Sequence, residues 1–208
     1  DASALELAGL RDGIRDMAKE LPSSASSIAD VAAAAGQLGI QTPNILSFSR
    51  TMIDLGESTN LTADQAATSL ARLANITQMP QTEFDRLGST IVALGNNFAT
   101  TEAEIVAMSL RLSGAGSQIG LSEHEILSLA TSLSSVGIEA EAGGSAFSKV
   151  MIEIAAAAQG GGQELDQFAS IAGMSADQFA TAFEQDAASA IVAFVSGLGD
   201  ISTAGGDL

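Results

Sequence analysis

Apolar residues recur along the chain at spacings of three, four and seven, which is the period of an amphipathic α-helix. Residues 3–21 show this first, before Pro22 ends the helix. Their apolar stripe consists of Leu7, Leu10, Ile14, Met17 and Leu21. The β-favouring residues never alternate with polar ones over a run that would indicate a strand. The pattern therefore predicts an all-α fold, a compact multi-helix bundle of about ten short helices with no sheet.

Glycine and proline mark the predicted helix ends. We expect Gly39 to cap the second helix, Pro43 to stand in the first turn of the third, and Gly95 to follow the fifth. Gly143 and Gly144 lack a Cβ and would let two helices meet closely. A further helix is predicted to begin at residue 43. The others are predicted over residues 24–38, 62–78, 82–94, 101–113, 122–136, 144–159, 163–172, 175–184 and 186–198. Breaks between them are assigned to Gly114, Gly116 and Gly120, to Gly137, and to a flexible joint at Gly160, Gly161 and Gly162.

Three segments share one pattern. An apolar residue is followed directly by Ser or Thr, and Glu or Gln stands three positions after that Ser or Thr. The segments begin at Leu61, Leu121 and Met174, and Thr101 with Glu104 adds a similar start. This is the capping box, in which the hydroxyl and the Glu or Gln side chain satisfy backbone N–H groups at a helix start. The boxes lie about 60 and then about 53 residues apart. That spacing is too irregular to predict a solenoid repeat.

The chain is strongly acidic, with 25 Asp and Glu against 8 Lys and Arg and a formal charge of −17. No Lys or Arg follows Lys149. Because nucleic-acid and anionic-membrane affinity depend on Lys and Arg, we expect no direct nucleic-acid binding. The apolar runs at 31–35 and 187–195 are too short for a membrane span, and no signal peptide is visible.

Candidate catalytic and metal-binding residues are few. Position 128 is Ser, so His124, the only histidine, lacks the second His of an H-E-x-x-H zinc motif. Four acidic pairs are spaced i, i+2, which directs their carboxylates to different sides of a helix. They are Glu102/Glu104, Glu123/Glu125, Glu139/Glu141 and Glu164/Asp166. We interpret them as solvated, helix-terminal charges.

The remaining motifs indicate structural rather than catalytic roles. The glycine-rich segments at 114–120 and 160–162 match neither a dinucleotide fingerprint nor a P-loop. Asn60 and Asn75 begin glycosylation sequons within or beside predicted helices, and cysteine is absent. The sequence therefore predicts no catalytic, cofactor-binding or metal-binding residues, no cofactor, and no enzymatic activity.

Four stretches, in this order, resemble the family of phage tail tape measure proteins, specifically the folded core segment of siphophage-type members. They are residues 28–40, 87–105, 120–125 and 136–147, and the resemblance covers roughly residues 24–190. A coiled-coil ruler needs sustained heptads, whereas these helices are broken by glycine about every 15 residues. The resemblance therefore implies a compact domain of the ruler protein rather than its extended stretch.

The family implies a structural role in tail assembly, tail-length determination and genome ejection. It also implies a homo-oligomer of three- or six-fold symmetry, contacts with tail tube and tail-tip or baseplate proteins, and a location inside the tail, after assembly in the host cytoplasm. Because the chain starts at Asp1, we expect an excerpt of a longer protein. Residues 1–22 would form an N-terminal helix leading in from that protein, and 23–208 the core domain.

Two alternatives remain open from the residues alone. One is a helical binding or adaptor module unrelated to phage. The other is an enzyme, such as a lytic glycosidase, with an acidic pair brought together by folding.

Overall fold

A computed structural model describes residues 3–203, with side chains through residue 200. Within this range the protein contains eleven α-helices and no strand, which confirms the all-α prediction. The helices are α1 (Ala4–Glu20), α2 (Ala25–Gln37), α3 (Ile45–Ser58), α4 (Ala63–Thr77), α5 (Phe84–Asn97), α6 (Glu102–Gln118), α7 (Glu123–Ser135), α8 (Ser145–Gly160), α9 (Gln163–Ile171), α10 (Ala176–Gln185) and α11 (Ala187–Thr203). One-turn 3₁₀ segments precede α3 (Thr42–Asn44) and α5 (Gln81–Glu83), and a π-helical turn (Ala140–Gly144) precedes α8.

The predicted capping boxes are all confirmed. In each, the hydroxyl accepts from the N3 backbone N–H and the N3 side chain accepts from the cap N–H. The four begin at Thr62, Thr101, Ser122 and Ser175. The apolar residue that precedes a box also packs inward; Leu121 and Ile126, for example, lie in one core cluster. A fifth box, Ser3 with Glu6, opens α1.

Several helices end on a residue with left-handed backbone. Gly39 has φ +88°, and the following Ile40 N–H donates to the Ala35 carbonyl at 3.0 Å, so the predicted cap of α2 is confirmed as a Schellman motif. Gly120, Gly137 and Gly173 occupy the same position after α6, α7 and α9. After α4 the position belongs to Gln78, with φ +58°. Each motif turns the chain abruptly into the next helix.

Three predicted boundaries were wrong. Helix α6 does not end near 113 but continues to Gln118, so Gly114 and Gly116 lie inside it. Helix α5 includes Gly95 and reaches Asn97, rather than ending in a turn at Gly95. Pro43 stands in a 3₁₀ turn, and α3 itself starts at Ile45. Glycine alone does not stop a helix, because its cost of about 1 kcal/mol relative to Ala is offset when packing needs the missing Cβ.

The interior forms two apolar clusters joined through α6 and α7. The first lies among α1–α5 and is centred on an edge-to-face pair, Phe48 with Phe84, at 4.7 Å between ring centroids. The second lies among α8–α11 and includes Phe179. Helix α6 contributes Ile105 to the first cluster and Leu112 to the second. One continuous helix therefore packs into both clusters.

Helix α8 approaches α6 closely at Gly144. A Cβ on Gly144 would stand 2.9 Å from both Arg111 Cβ and Met108 Sδ. The prediction that this glycine permits close helix contact is confirmed. The Ser148 hydroxyl donates to the Arg111 carbonyl at 2.9 Å and fixes the same contact.

Helix α1 packs its inner face on α2 and α3. Met17 is buried in the first cluster, and Ile14 and Leu10 pack against it. The expected division between residues 1–22 and 23–208 stays a prediction. Residues 204–208, the end of that second range, lie outside the described residues.

Candidate functional site

His124 is the second residue of α7 and lies at the surface. Its side chain is 44% exposed, and its Nδ1 lies 3.4 Å from Glu123 Oε1. Within residues 3–200 no group of three or more His, Asp or Glu side chains is arranged to hold a metal ion. His124 is thus placed beside one carboxylate at a helix start, where a negative charge complements the helix dipole.

The acidic pairs are divided between different roles rather than joined in one site. Glu104 accepts from the Thr101 N–H and hydroxyl, both at 2.9 Å, and these hydrogen bonds hold the pKa of its carboxyl below its ordinary value. Its neighbour Glu102 instead lies against Gly95. Glu125 completes the capping box of α7, and Glu141 pairs with Arg111. The fold therefore uses these carboxylates to begin helices and to pair with one arginine.

The sequon asparagines and the glycine-rich segments also have structural roles. Asn60 Oδ1 accepts from the Ala103 N–H at 3.1 Å in the first turn of α6, and Asn75 Nδ2 donates to the Leu38 carbonyl at 3.4 Å. Gly161 and Gly162 take φ of +70° and +87° between α8 and α9. The backbone there turns in a conformation that favours glycine.

A groove between α4, α6 and the π turn is the surface feature that sequence reasoning missed. Its volume is about 630 Å³. Helix α4 supplies Arg72 and Ile76, and α6 supplies the base with Ala107 and Leu110. The opposite wall is the Arg111–Glu141 ion pair. Two of the eight basic residues of an acidic chain thus border one partly apolar groove.

No signal in the sequence points to this groove. Arg72 and Arg111 belong to separate helices and are brought together by the packing of α4 on α6. Ile76 follows Arg72 by one helical turn. The apolar pattern would assign Ile76 to the interior, but its side chain is 40% exposed. A groove of this kind is defined by tertiary contacts alone.

The residues that follow Lys149 carry acidic charges alone. All of their acidic residues through position 200 are exposed, and no Lys or Arg accompanies them. They are Glu153, Glu164, Asp166, Asp177, Glu184, Asp186 and Asp200. Asp186 accepts from the Ser189 hydroxyl at 2.6 Å and its N–H at 3.0 Å, which lowers the pKa of the carboxyl and begins α11. In the described part of the chain, no helix is long and apolar enough to cross a membrane.

Taken together, these placements define a helical structural domain whose polar side chains cap helices and whose grooves and charged faces are open to partners. The model of the phage-related minor tail protein family matches residues 11–206, and the chain belongs to this family. Its role is therefore a structural one in the phage tail, and its location is in the virion. No curated protein and no solved structure matches the chain.

Family membership bears on the first of the two alternatives that the residues left open. A helical adaptor unrelated to phage is not supported, because the match covers nearly the whole described chain. The resemblance seen in the sequence is confirmed at the level of a phage tail protein.

Proposed function

We propose that this chain is the compact core domain of a tape measure protein. In this role it takes part in tail assembly, in setting tail length and in genome delivery, from a position inside the tail. The observation that carries the proposal is the family match over residues 11–206 of a chain built from short, capped helices. Such helices pack into a domain and do not extend as a continuous coiled coil.

The two core clusters support a domain that acts as one folded body. Helix α6 crosses from one cluster to the other, and its residues Ile105 and Leu112 are fully buried. In the proposed role this body forms a homo-oligomer of three- or six-fold symmetry about the tail axis. It contacts tail tube and tail-tip proteins without binding nucleic acid directly.

A matched pair of substitutions in a phage that encodes this chain tests the proposal. Leu112→Asp places a charge in the core and unfolds the domain, because an unpaired charge is strongly disfavoured in an apolar interior. Ser132→Asp introduces the same side chain on the exposed surface of α7. We expect the Leu112→Asp phage to yield no tails, or tails of irregular length by electron microscopy, and the Ser132→Asp phage to yield normal tails. Normal, infectious tails from Leu112→Asp would contradict the proposed function.

A further inference from the structure

The groove between α4 and α6 carries an unpaired cation beside exposed apolar surface. Among the described residues, Arg72 makes no ion pair and no hydrogen bond, although acidic residues outnumber basic ones threefold in the chain. Ile76 lies one turn further along α4, and Leu110 of α6 lies at the base of the groove. An apolar groove bordered by a free guanidinium fits an amphipathic helix that carries a carboxylate at the edge of its apolar face.

Helix α11 presents a face of that kind. Its inner side packs Ile191 and Phe194 into the second cluster. Its outer side leaves Val192 51% exposed and Val195 38% exposed, one turn apart. Asp200 is exposed about two turns beyond Val192 and about 80° round the helix from it, so it flanks the apolar face on the Val192 side.

We propose that α11 of one copy of this chain docks in the α4–α6 groove of a second copy. Val192 and Val195 would lie against Ile76 and Leu110, with Asp200 near Arg72. The charge distribution favours a second copy as the occupant, because the groove presents the unpaired Arg72 beside the Arg111–Glu141 ion pair. The residues after Lys149 in every copy carry only acidic charges. The inference rests on the proposed function and identifies the surfaces that the assembly would use.

The proposed contact joins unlike surfaces, and where it is not made reciprocally within one pair of copies it is heterologous. Contacts of this type close into a ring when the rotation between copies permits, and otherwise continue as an open chain. Each wall of the groove is only about one helical turn long, so the contact is smaller than the roughly 1,200 Å² of a stable interface. It is weak between free copies and is strengthened where other contacts hold the copies around one axis.

Directed disulfide cross-linking tests this geometry, because the natural chain contains no cysteine. Chains carrying Ile76→Cys are mixed with chains carrying Val192→Cys and oxidised. A bridge requires Cα atoms about 4.4–6.8 Å apart, so a cross-linked pair reports direct contact. Phe98→Cys replaces Ile76→Cys in the control mixture, since Phe98 is also an exposed apolar residue, 53% accessible, and does not line the groove. We expect cross-linked dimers to form roughly tenfold faster in the first mixture.

Charge reversal then tests the partner chemistry. Arg72→Glu, added to the Ile76→Cys chain, turns attraction into repulsion and is expected to slow cross-linking roughly tenfold. Asp200→Arg in the Val192→Cys chain is expected to restore the rate. Lys149→Glu is the matched control, because Lys149 is an exposed basic residue outside the groove, and it should leave the rate unchanged.

Three results would overturn the inference. The first is cross-linking no faster than in the Phe98→Cys mixture, and the second is a rate that does not respond to Arg72→Glu. The third is preferential bridging of Ile76→Cys to itself, which would indicate a symmetric dimer through the groove. None of them bears on the tail phenotype of Leu112→Asp, so this inference and the proposed function fail separately.

Discussion

The backbone of Gly116 in α6 lies directly against the side chain of Ile126 in α7. A Cβ on Gly116 would stand 2.9 Å from Ile126 Cγ1, closer than side chains normally approach. Ile126 is fully buried and is the N4 residue of a capped helix, so it has little room to move. The glycine inside α6 thus allows α7 to pack tightly on it.

Substitution of Gly116 and Gly114 by alanine should have opposite effects on stability. Both lie within α6, where alanine gains about 1 kcal/mol in helix propensity. A Cβ on Gly114 meets nothing within 4 Å, so Gly114→Ala should raise the free energy of unfolding by about 0.5–1 kcal/mol. Gly116→Ala should lower it, because overpacking costs about 1–3 kcal/mol. Urea unfolding, followed by far-ultraviolet circular dichroism, measures the free energy of unfolding of both variants. Equal stabilisation by the two substitutions would contradict the tight packing of α7 on Gly116.

The two apolar clusters should unfold together. Phe48 and Phe179 are almost completely buried, one in each cluster, and truncation of either to alanine should cost about 3–5 kcal/mol. Because α6 belongs to both clusters, we expect either substitution to shift the whole thermal transition while leaving a single step. A transition that splits into two steps, only one of which moves, would mean that the clusters are independent.

Gln78 is expected to be a site of easy stabilisation. It is the one described residue other than glycine with positive φ, at the position that glycine occupies after four other helices. Gln78→Gly removes the strain of a side chain in left-handed backbone and should raise the free energy of unfolding by about 0.5–1 kcal/mol. Part of the gain is offset by loss of the hydrogen bond from Gln78 Nε2 to the Asn75 carbonyl at 2.6 Å. The reverse change at an equivalent cap, Gly39→Gln, should destabilise; stabilisation by it would contradict the assignment of strain.

Acid stability should depend in part on Glu104. Its hydrogen bonds to the Thr101 N–H and hydroxyl lower the pKa of its carboxyl from its ordinary value in the folded protein. The associated stability is complete above the unfolded-state pKa and is lost as the pH falls through the folded-state pKa. Glu104→Gln keeps an acceptor for the capping box but does not titrate, so its unfolding free energy should fall less between pH 5 and pH 3. In a Thr101→Ala background, which removes the hydroxyl but keeps the backbone N–H, the effect of Glu104→Gln on this slope should shrink only in part. If Glu104→Gln leaves the slope of the natural chain unchanged, the pH dependence belongs to other carboxylates.

The helices and their starts could be predicted from sequence because their causes are local. The box at Ser122 and Glu125 needs only residues three apart, and the apolar stripe of α1 needs only the helical period. The end of α6 was misplaced for the opposite reason. Whether Gly116 breaks a helix or lets one pack depends on Ile126, which is placed by tertiary structure.

The groove lay beyond sequence reasoning for a similar reason. Arg72 and Arg111 look like ordinary solvated arginines in their own helices, and only the packing of α4 on α6 makes them border one space. The acidic character of the residues after Lys149, by contrast, could be predicted by counting charges. The structure adds an oppositely charged group elsewhere on the surface, the unpaired Arg72 at the groove.

Tail length after duplication of this domain tests the central claim most directly. Residues 23–203 are duplicated in frame in a phage that encodes the chain, and tail lengths are measured by electron microscopy. If the segment extended as a helical ruler, the second copy would lengthen the tail by about 270 Å, at about 1.5 Å per residue. In the proposed role the extended stretch of the same protein sets the length, so a second copy of a compact domain predicts tails of unchanged length. Tails lengthened by the full amount would show that these helices are extended within the tail and would contradict the account.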